Sequence, residues 1–235
     1  MQKPILIFGA GKIAEVVYHH IIRDGLFKVA AFCVDQRFLN TQDGTHPKFN
    51  LPVVAFDDVE RSYPPDKFDM LVVIGYQNLN LLRQQKYAAA KAKGYTLCSY
   101  ISPRADRGNW LRHGDNCVVL DGVGIQPGTE IGNNVFVWNN SLIGHHSKIL
   151  DDCWLTAGTT IGGCTEIGEQ TFIGLNATIG GEITIGKRNF IGAGALVIKS
   201  SVANAVFISS ATEKFRLDVD TFLRLTSLPA MNSID

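Results

Sequence analysis

Hydrophobic and polar positions follow two different rules along this chain, and the change falls near residue 105. Before it, short apolar runs alternate with segments of helical spacing. Ile5–Phe8, Val29–Val34, Val53–Phe56, Met70–Ile74 and Thr96–Ile101 read as five strands. Nearly continuous apolar runs of this kind suit a parallel sheet covered on both faces. Residues 12–24 place Ile13, Val16, Val17 and Ile21 on one face of a helix, and residues 80–93 read as a second helix closed by Gly94. Strands alternating with helices predict a small parallel α/β domain over residues 1–104, a truncated Rossmann-like fold.

Over residues 105–212 the period is six. Every sixth residue from Val119 to Val197 is Val, Ile or Leu, fourteen positions without a break in register. The next residue is often Gly, as at 132, 144, 162 and 180, and the residue two before is often small, as at Ser141, Ser147, Thr159 and Thr165. Neither a helix nor an ordinary strand uses a period of six, so the pattern predicts a parallel β-helix. On these residues the segment resembles the hexapeptide-repeat acyltransferases. The resemblance implies a left-handed β-helix with three hexads per triangular coil, in a homotrimer. Residues 213–226, with Phe215, Leu217, Val219, Phe222 and Leu223 as the apolar set, read as an amphipathic helix that closes the solenoid, at the head of a tail ending at 235.

With 18 residues per coil, side chains 18 apart stack in columns. One outward column reads Val118, Phe136, Trp154, Phe172, Phe190. It is too apolar to leave in water. It reads as a subunit interface, at which Trp154 would also line a ligand groove. Another column reads Pro127, His145, Gly163, Gly181, Lys199. Glycine bares the backbone, and bare backbone beside a histidine suits an extended cofactor that ends in a thioester. His146 follows His145, so both are candidate catalytic residues. Metal binding is the competing chemistry for two histidines, but adjacent residues diverge on a strand and make a poor chelate, so no metal is expected.

Taken together, the two halves resemble one family, the sugar O- and N-acetyltransferases of the NeuD/PglD type. The stretch from Trp138 through Gly144-His145-His146-Ser147, then Ile161-Gly162-Gly163 and Phe172 to Ile179, carries the likeness most specifically. The resemblance implies that His145 is the general base, and that acetyl-CoA lies along backbone at Gly163, Gly181 and Ala193. Two positions depart from the family. His146 stands where an orienting Glu or Asp is common, and Trp154 stands where some members place a second histidine on acetyl-CoA. In the first half, Gly9-Ala10-Gly11-Lys12-Ile13-Ala14 follows a strand and opens a helix, fitting G-x-G-x-x-A. Asp35 ends the second strand. A complete dinucleotide site is not expected, because five short strands make half of such a fold. The resemblance implies a nucleotide-linked sugar here instead, with Asp35 at the base or ribose and Lys12 beside the diphosphate. Gly75, Tyr76 and Arg83 follow the fourth strand, at the carboxyl end of the sheet where ligands bind.

Composition narrows the classes further. The chain of 235 residues carries 22 basic and 22 acidic side chains, with 46% apolar residues. Zero net charge provides no global field for nucleic acid or an anionic membrane. No apolar run reaches the roughly 18 residues of a membrane helix, and the N-terminus reads as a strand rather than a signal peptide. Five cysteines without a CxxC pair suit a reducing cytoplasm, as small buried apolar residues. The expectation is a cytoplasmic, acetyl-CoA-dependent N-acetyltransferase of a nucleotide-linked amino sugar for surface-glycan synthesis, with direct transfer in a ternary complex. O-acetylation of a sialic-acid-like sugar and a non-catalytic nucleotide-sugar-binding scaffold are the alternatives.

Overall fold

The computed structural model describes residues 3–39 and 44–226. The first half is a parallel four-stranded sheet of β1 (Ile5–Phe8), β2 (Val29–Val34), β3 (Val53–Ala55) and β4 (Asp69–Val72), in the order β3-β2-β1-β4. Strand β1 sits centrally and is buried throughout, which accounts for its unbroken apolar sequence. Helix α1 (Lys12–Asp24) covers one face with Ala14, Val17 and Ile21. It ends at Gly25, whose left-handed backbone, φ 63°, lets its N–H reach the Ile21 and Ile22 carbonyls. Helix α2 (Val59–Ser62) is short, and α3 (Leu81–Ala92) precedes the crossover into the second half.

The second half is a left-handed β-helix. Three parallel sheets form the faces of a prism, and the pairing Phe136↔Trp154, Leu142↔Thr160 and Lys148↔Glu166 joins residues 18 apart on each face. All fourteen hexad positions lie in one buried core. Each fully buried Ile or Leu contributes roughly 1.5–3 kcal/mol, so fourteen in register drive the winding. The small residues two positions earlier close the corners: the hydroxyls of Ser147 and Thr165 donate to the carbonyls of Gly162 and Gly180 in the next coil. Each corner turns through a left-handed residue. One corner uses Asn116, Asn134, Asp152, Gln170 and Arg188; another uses Gly128, His146, Cys164 and Glu182. The period shortens at the end, where Ile185 bridges Ser201 and Ile191 pairs with Phe207, each 16 residues on.

Three expectations change. The fifth strand divides: Leu97 bridges Met70, while Tyr100–Ile101 pairs with Val118–Val119 and begins the first face of the prism. The solenoid therefore starts a few residues before the boundary expected at 104. The aromatic column is covered by the chain's own first half rather than left for a neighbouring subunit. Val118, Phe136, Trp154 and Phe172 share one core with Ile5, Ile7, Ile21 and Leu71. Only Phe190, beyond the reach of that domain, stays exposed. The terminal helix α4 (Val219–Thr226) is shorter than 213–226 and buries none of its residues, so it does not pack as a lid on its own solenoid.

Candidate functional site

The third corner of the prism brings His145, His146, Gly163 and Gly181 together. His145 leaves the second face just after Ile143-Gly144, and Gln126 Oε1 accepts its backbone N–H at 2.9 Å. The imidazole lies against Gly163 in the coil above. A Cβ at 163 would stand 2.6 Å from His145 Nε2 and 2.7 Å from Cε1, so only glycine leaves the ring its place. Gly181, one coil further, continues the bare wall; its Cβ would meet the Gly163 carbonyl oxygen at 3.1 Å. The coil-to-coil ladder here runs through the N–H groups of Gly162, Cys164 and Glu182. Gly163 and Gly181 lie between these donors, with their nitrogens packed over Gly144 and Gly162 of the coil below. His145 and His146 are both exposed, with Nδ1 to Nδ1 at 3.2 Å. Cys164 is exposed as well, its Sγ 3.9 Å from His145 Nδ1, which corrects the expectation that all five cysteines are buried. Burial pushes the Cys98, Cys117 and Cys153 thiols up to about 12, as inert core positions should be. Ala193 lies elsewhere, at the corner between Phe190–Ile191 and Leu196–Val197, and does not extend the His145 column.

A second site opens at the carboxyl ends of β1, β2 and β4, as a cleft of about 530 Å³. Gly9, Gly11, Lys12, Asp35 and Gly75 line it, as the sequence predicts. Gly9 has φ 117°, and a Cβ there would meet the Val73 carbonyl oxygen at 2.3 Å, so the first glycine permits the close strand crossing. Gly11 faces open space at the start of α1, whose first N–H groups carry no side-chain cap. Bare N–H groups at a helix N-terminus favour an anion. Phe38, Gln77 and Lys86 also line the cleft and were missed. Lys86 forms an ion pair with Asp35 and lies 5.6 Å from the centroid of the Phe8 ring. Leu82 and Lys86 are one turn apart on α3, and that spacing is the sequence signal for their shared face.

Three expected site residues belong to the joint between the halves. Arg83 stands about 100° round α3 from Leu82 and turns into the solenoid. It is 1% exposed and donates to the backbone carbonyls of Asn134, Asp152 and Cys153. Burial lowers its pKa to about 10, opposed by the nearby Asp152 carboxylate. It holds the two halves together and is closed to substrate. Trp154, also 1% exposed, stacks on Phe136 at 4.3 Å and lies under the Arg83 guanidinium, so it lines no cofactor groove. Tyr76 packs its ring on Phe172 and Trp154, at 4.6 and 5.6 Å, and does not line the cleft.

His20, Asp24 and Asp121 gather at the same joint with their ligand atoms within 4.8 Å. Arg23 donates to both carboxylates and Arg104 to Asp24, so cations of the chain already occupy the group. The donor set is an ion-pair network across the two halves.

Comparison with known proteins places this geometry. The bacterial transferase hexapeptide family (six repeats) matches residues 112–145. No curated protein sequence matches the chain. Among solved structures, it is similar to a histidine-to-asparagine variant of perosamine N-acetyltransferase from Caulobacter crescentus, in complex with CoA and GDP-perosamine. The identity is 25% and the TM-score 0.77, over 88% of this chain and 93% of that one. It is similar to PerB of the same organism, also in complex with CoA and GDP-perosamine, at 25% identity and TM-score 0.75, over 88% and 94%. The acetyltransferase domain of PglB from Neisseria gonorrhoeae is 26% identical, with TM-score 0.74, over 85% and 93%. The likeness to these sugar acetyltransferases thus spans both halves, and the chain is an acyltransferase.

Proposed function

We propose that this chain transfers an acetyl group from acetyl-CoA to the amine of a nucleotide-linked amino sugar, with His145 as general base. The observation that carries the reading is the contact of His145 Nε2 with a wall stripped to glycine at 163 and 181. The thioester end of acetyl-CoA lies along that wall. The sugar nitrogen attacks the thioester carbonyl while His145 takes the amine proton, a role worth about 10²–10⁴-fold in rate. The Gly163 N–H stabilises the oxyanion of the tetrahedral intermediate. The C–S bond then breaks, CoA leaves as thiolate, and the proton on His145 returns to sulfur or solvent. Transfer is direct, in a ternary complex. The nucleotide end of the acceptor occupies the cleft, its diphosphate at the bare start of α1 beside Lys12 and its base or ribose near Asp35. The nucleotide-linked amino sugar bound by the Caulobacter protein supports this substrate class.

No helix among the described residues is long and apolar enough to cross a membrane. The reading places the enzyme in the cytoplasm as a homotrimer supplying acetylated sugars for surface glycans. Support for self-association is the exposed Leu142 and Leu196 on the second face, now that the aromatic column is covered. The test is thiol release from acetyl-CoA across UDP-, dTDP- and GDP-linked amino sugars, alongside His145→Ala. Turnover with an amino sugar, abolished in the variant, is expected. Turnover only with hydroxyl acceptors would replace N- by O-acetylation, and binding without turnover would leave a scaffold.

A further inference from the structure

A general base works only in the tautomer that leaves its reactive nitrogen unprotonated. No carboxylate follows His145; His146 does. Its place is dictated by the coil, because position 146 belongs to the corner that turns through a left-handed residue, and His146 has φ 56°. Histidine tolerates this region better than most side chains. The turn brings its ring back to its neighbour, with ring centroids 5.4 Å apart, planes at 78° and the two Nδ1 atoms at 3.2 Å. At that distance one Nδ1 donates and the other accepts. Space for both rings is cleared by glycines on neighbouring coils. Gly163 faces His145, and a Cβ at Gly128 would stand 2.7 Å from His146 Cδ2.

We infer that His146 is the positioning residue of this site: its Nδ1 accepts the Nδ1–H of His145 and leaves His145 Nε2 with its lone pair facing Gly163. The inference rests on the acetyl-transfer reading for its kinetic consequence, and on geometry alone for the pairing. The reverse arrangement would put hydrogen on Nε2 and remove the base. Cys164 Sγ, at 3.9 Å from the same His145 nitrogen, is the weaker partner. When Nε2 takes the substrate proton, the Nδ1–H···Nδ1 bond becomes charge-assisted and tightens. Unlike a carboxylate, His146 holds the tautomer without neutralising the imidazolium. Acid that protonates His146 turns its Nδ1 from acceptor to donor and breaks the arrangement. The other groups about His146 are Lys148, Cys164, Glu166 and Glu182, and Gln126 stands beside His145.

Two variants test this in the full chain. His146→Gly removes the ring where glycine is at ease with positive φ, and His146→Asp supplies an acceptor that also tolerates that region. Nitrogen-15 NMR of the imidazoles, without substrate, is expected to show His145 as the Nδ1–H tautomer in the wild type and as a mixture in His146→Gly. The Gly variant should lose about 10–100-fold in kcat, with KM for acetyl-CoA within about threefold. His146→Asp should regain most of that loss and move the acid limb of the rate profile to higher pH, because a carboxylate there stabilises the His145 imidazolium. An Nε2–H tautomer in the wild type, unchanged kcat in the Gly variant, or an Asp variant as slow as Gly would each overturn the inference. The NMR result decides the pairing even where the wild type acetylates no acceptor, so the two readings fail separately.

Discussion

Gly163→Ala isolates the contact on which the functional reading depends. The residue has ordinary backbone, so alanine introduces no strain of its own; what matters is what the new methyl meets. It would stand 2.6 Å from His145 Nε2 and 2.9 Å from Cδ2. Ordinary carbon contacts begin at about 3.5 Å, so the imidazole must retreat by roughly 1 Å. The ring is exposed and can do so without disturbing the core. Stability should therefore change by less than about 1 kcal/mol, within the range of surface substitutions. Catalysis should not escape, because misplacing a reacting group by about 1 Å typically lowers the rate by about 10²-fold, or about 2.7 kcal/mol of transition-state stabilisation. Gly162→Ala is the control. Its Cβ would lie 2.4 Å from the backbone nitrogen of Gly181, and a coil cannot retreat as a side chain can. That variant should lower the thermal midpoint. Initial-rate kinetics with acetyl-CoA and the amino-sugar acceptor, with thermal unfolding beside them, separate the two. A Gly163→Ala enzyme within about threefold of wild-type kcat/KM would refute the placement of the base, and so would a loss of activity that merely follows a loss of fold.

Arg83→Met should cost about 3–5 kcal/mol by urea unfolding, the range for removing one member of a buried charged network, because it strands the carbonyls of Asn134, Asp152 and Cys153; a change below about 1 kcal/mol would deny Arg83 its joining role. Arg23 beside Asp24 and Asp121 holds both carboxyls below the usual range. Such groups stabilise the fold fully above about pH 4, and that contribution is lost as pH falls through the lowered folded values. The thermal midpoint should accordingly fall less steeply from pH 5 to pH 2 in Arg23→Gln than in the wild type, and equal slopes would count against the network. Lys12→Ala should raise KM for the nucleotide-linked acceptor about tenfold, a charge-assisted hydrogen bond being worth roughly 1.5–3 kcal/mol, and should leave KM for acetyl-CoA unchanged; equal effects on both substrates would move the acceptor out of the cleft.

Fourteen inward positions were legible because each hexad repeats one physical demand, a branched apolar side chain in a narrow prism, and all fourteen are buried. His145 with Gly163 was legible for a related reason: a coil of fixed length turns sequence separation into stacking, and a glycine across from a histidine marks where a ring needs room. Outward columns carry no such demand. The aromatic set Phe136, Trp154 and Phe172 says only that something apolar covers it, and a partner chain or a fused domain satisfies that equally. Tyr76 and Arg83 went astray with it, since both face the covering surface rather than the cleft. The deciding signal lies one coil earlier than the obvious repeat. Tyr100–Ile101 precedes Val118–Val119 by one full coil and pairs with it, so the chain leaves the α/β sheet directly onto the first face. A connection that short sets the first domain against that face, and an aromatic column there is its seat. The second face has no such attachment. Leu142 and Leu196 stay exposed on it.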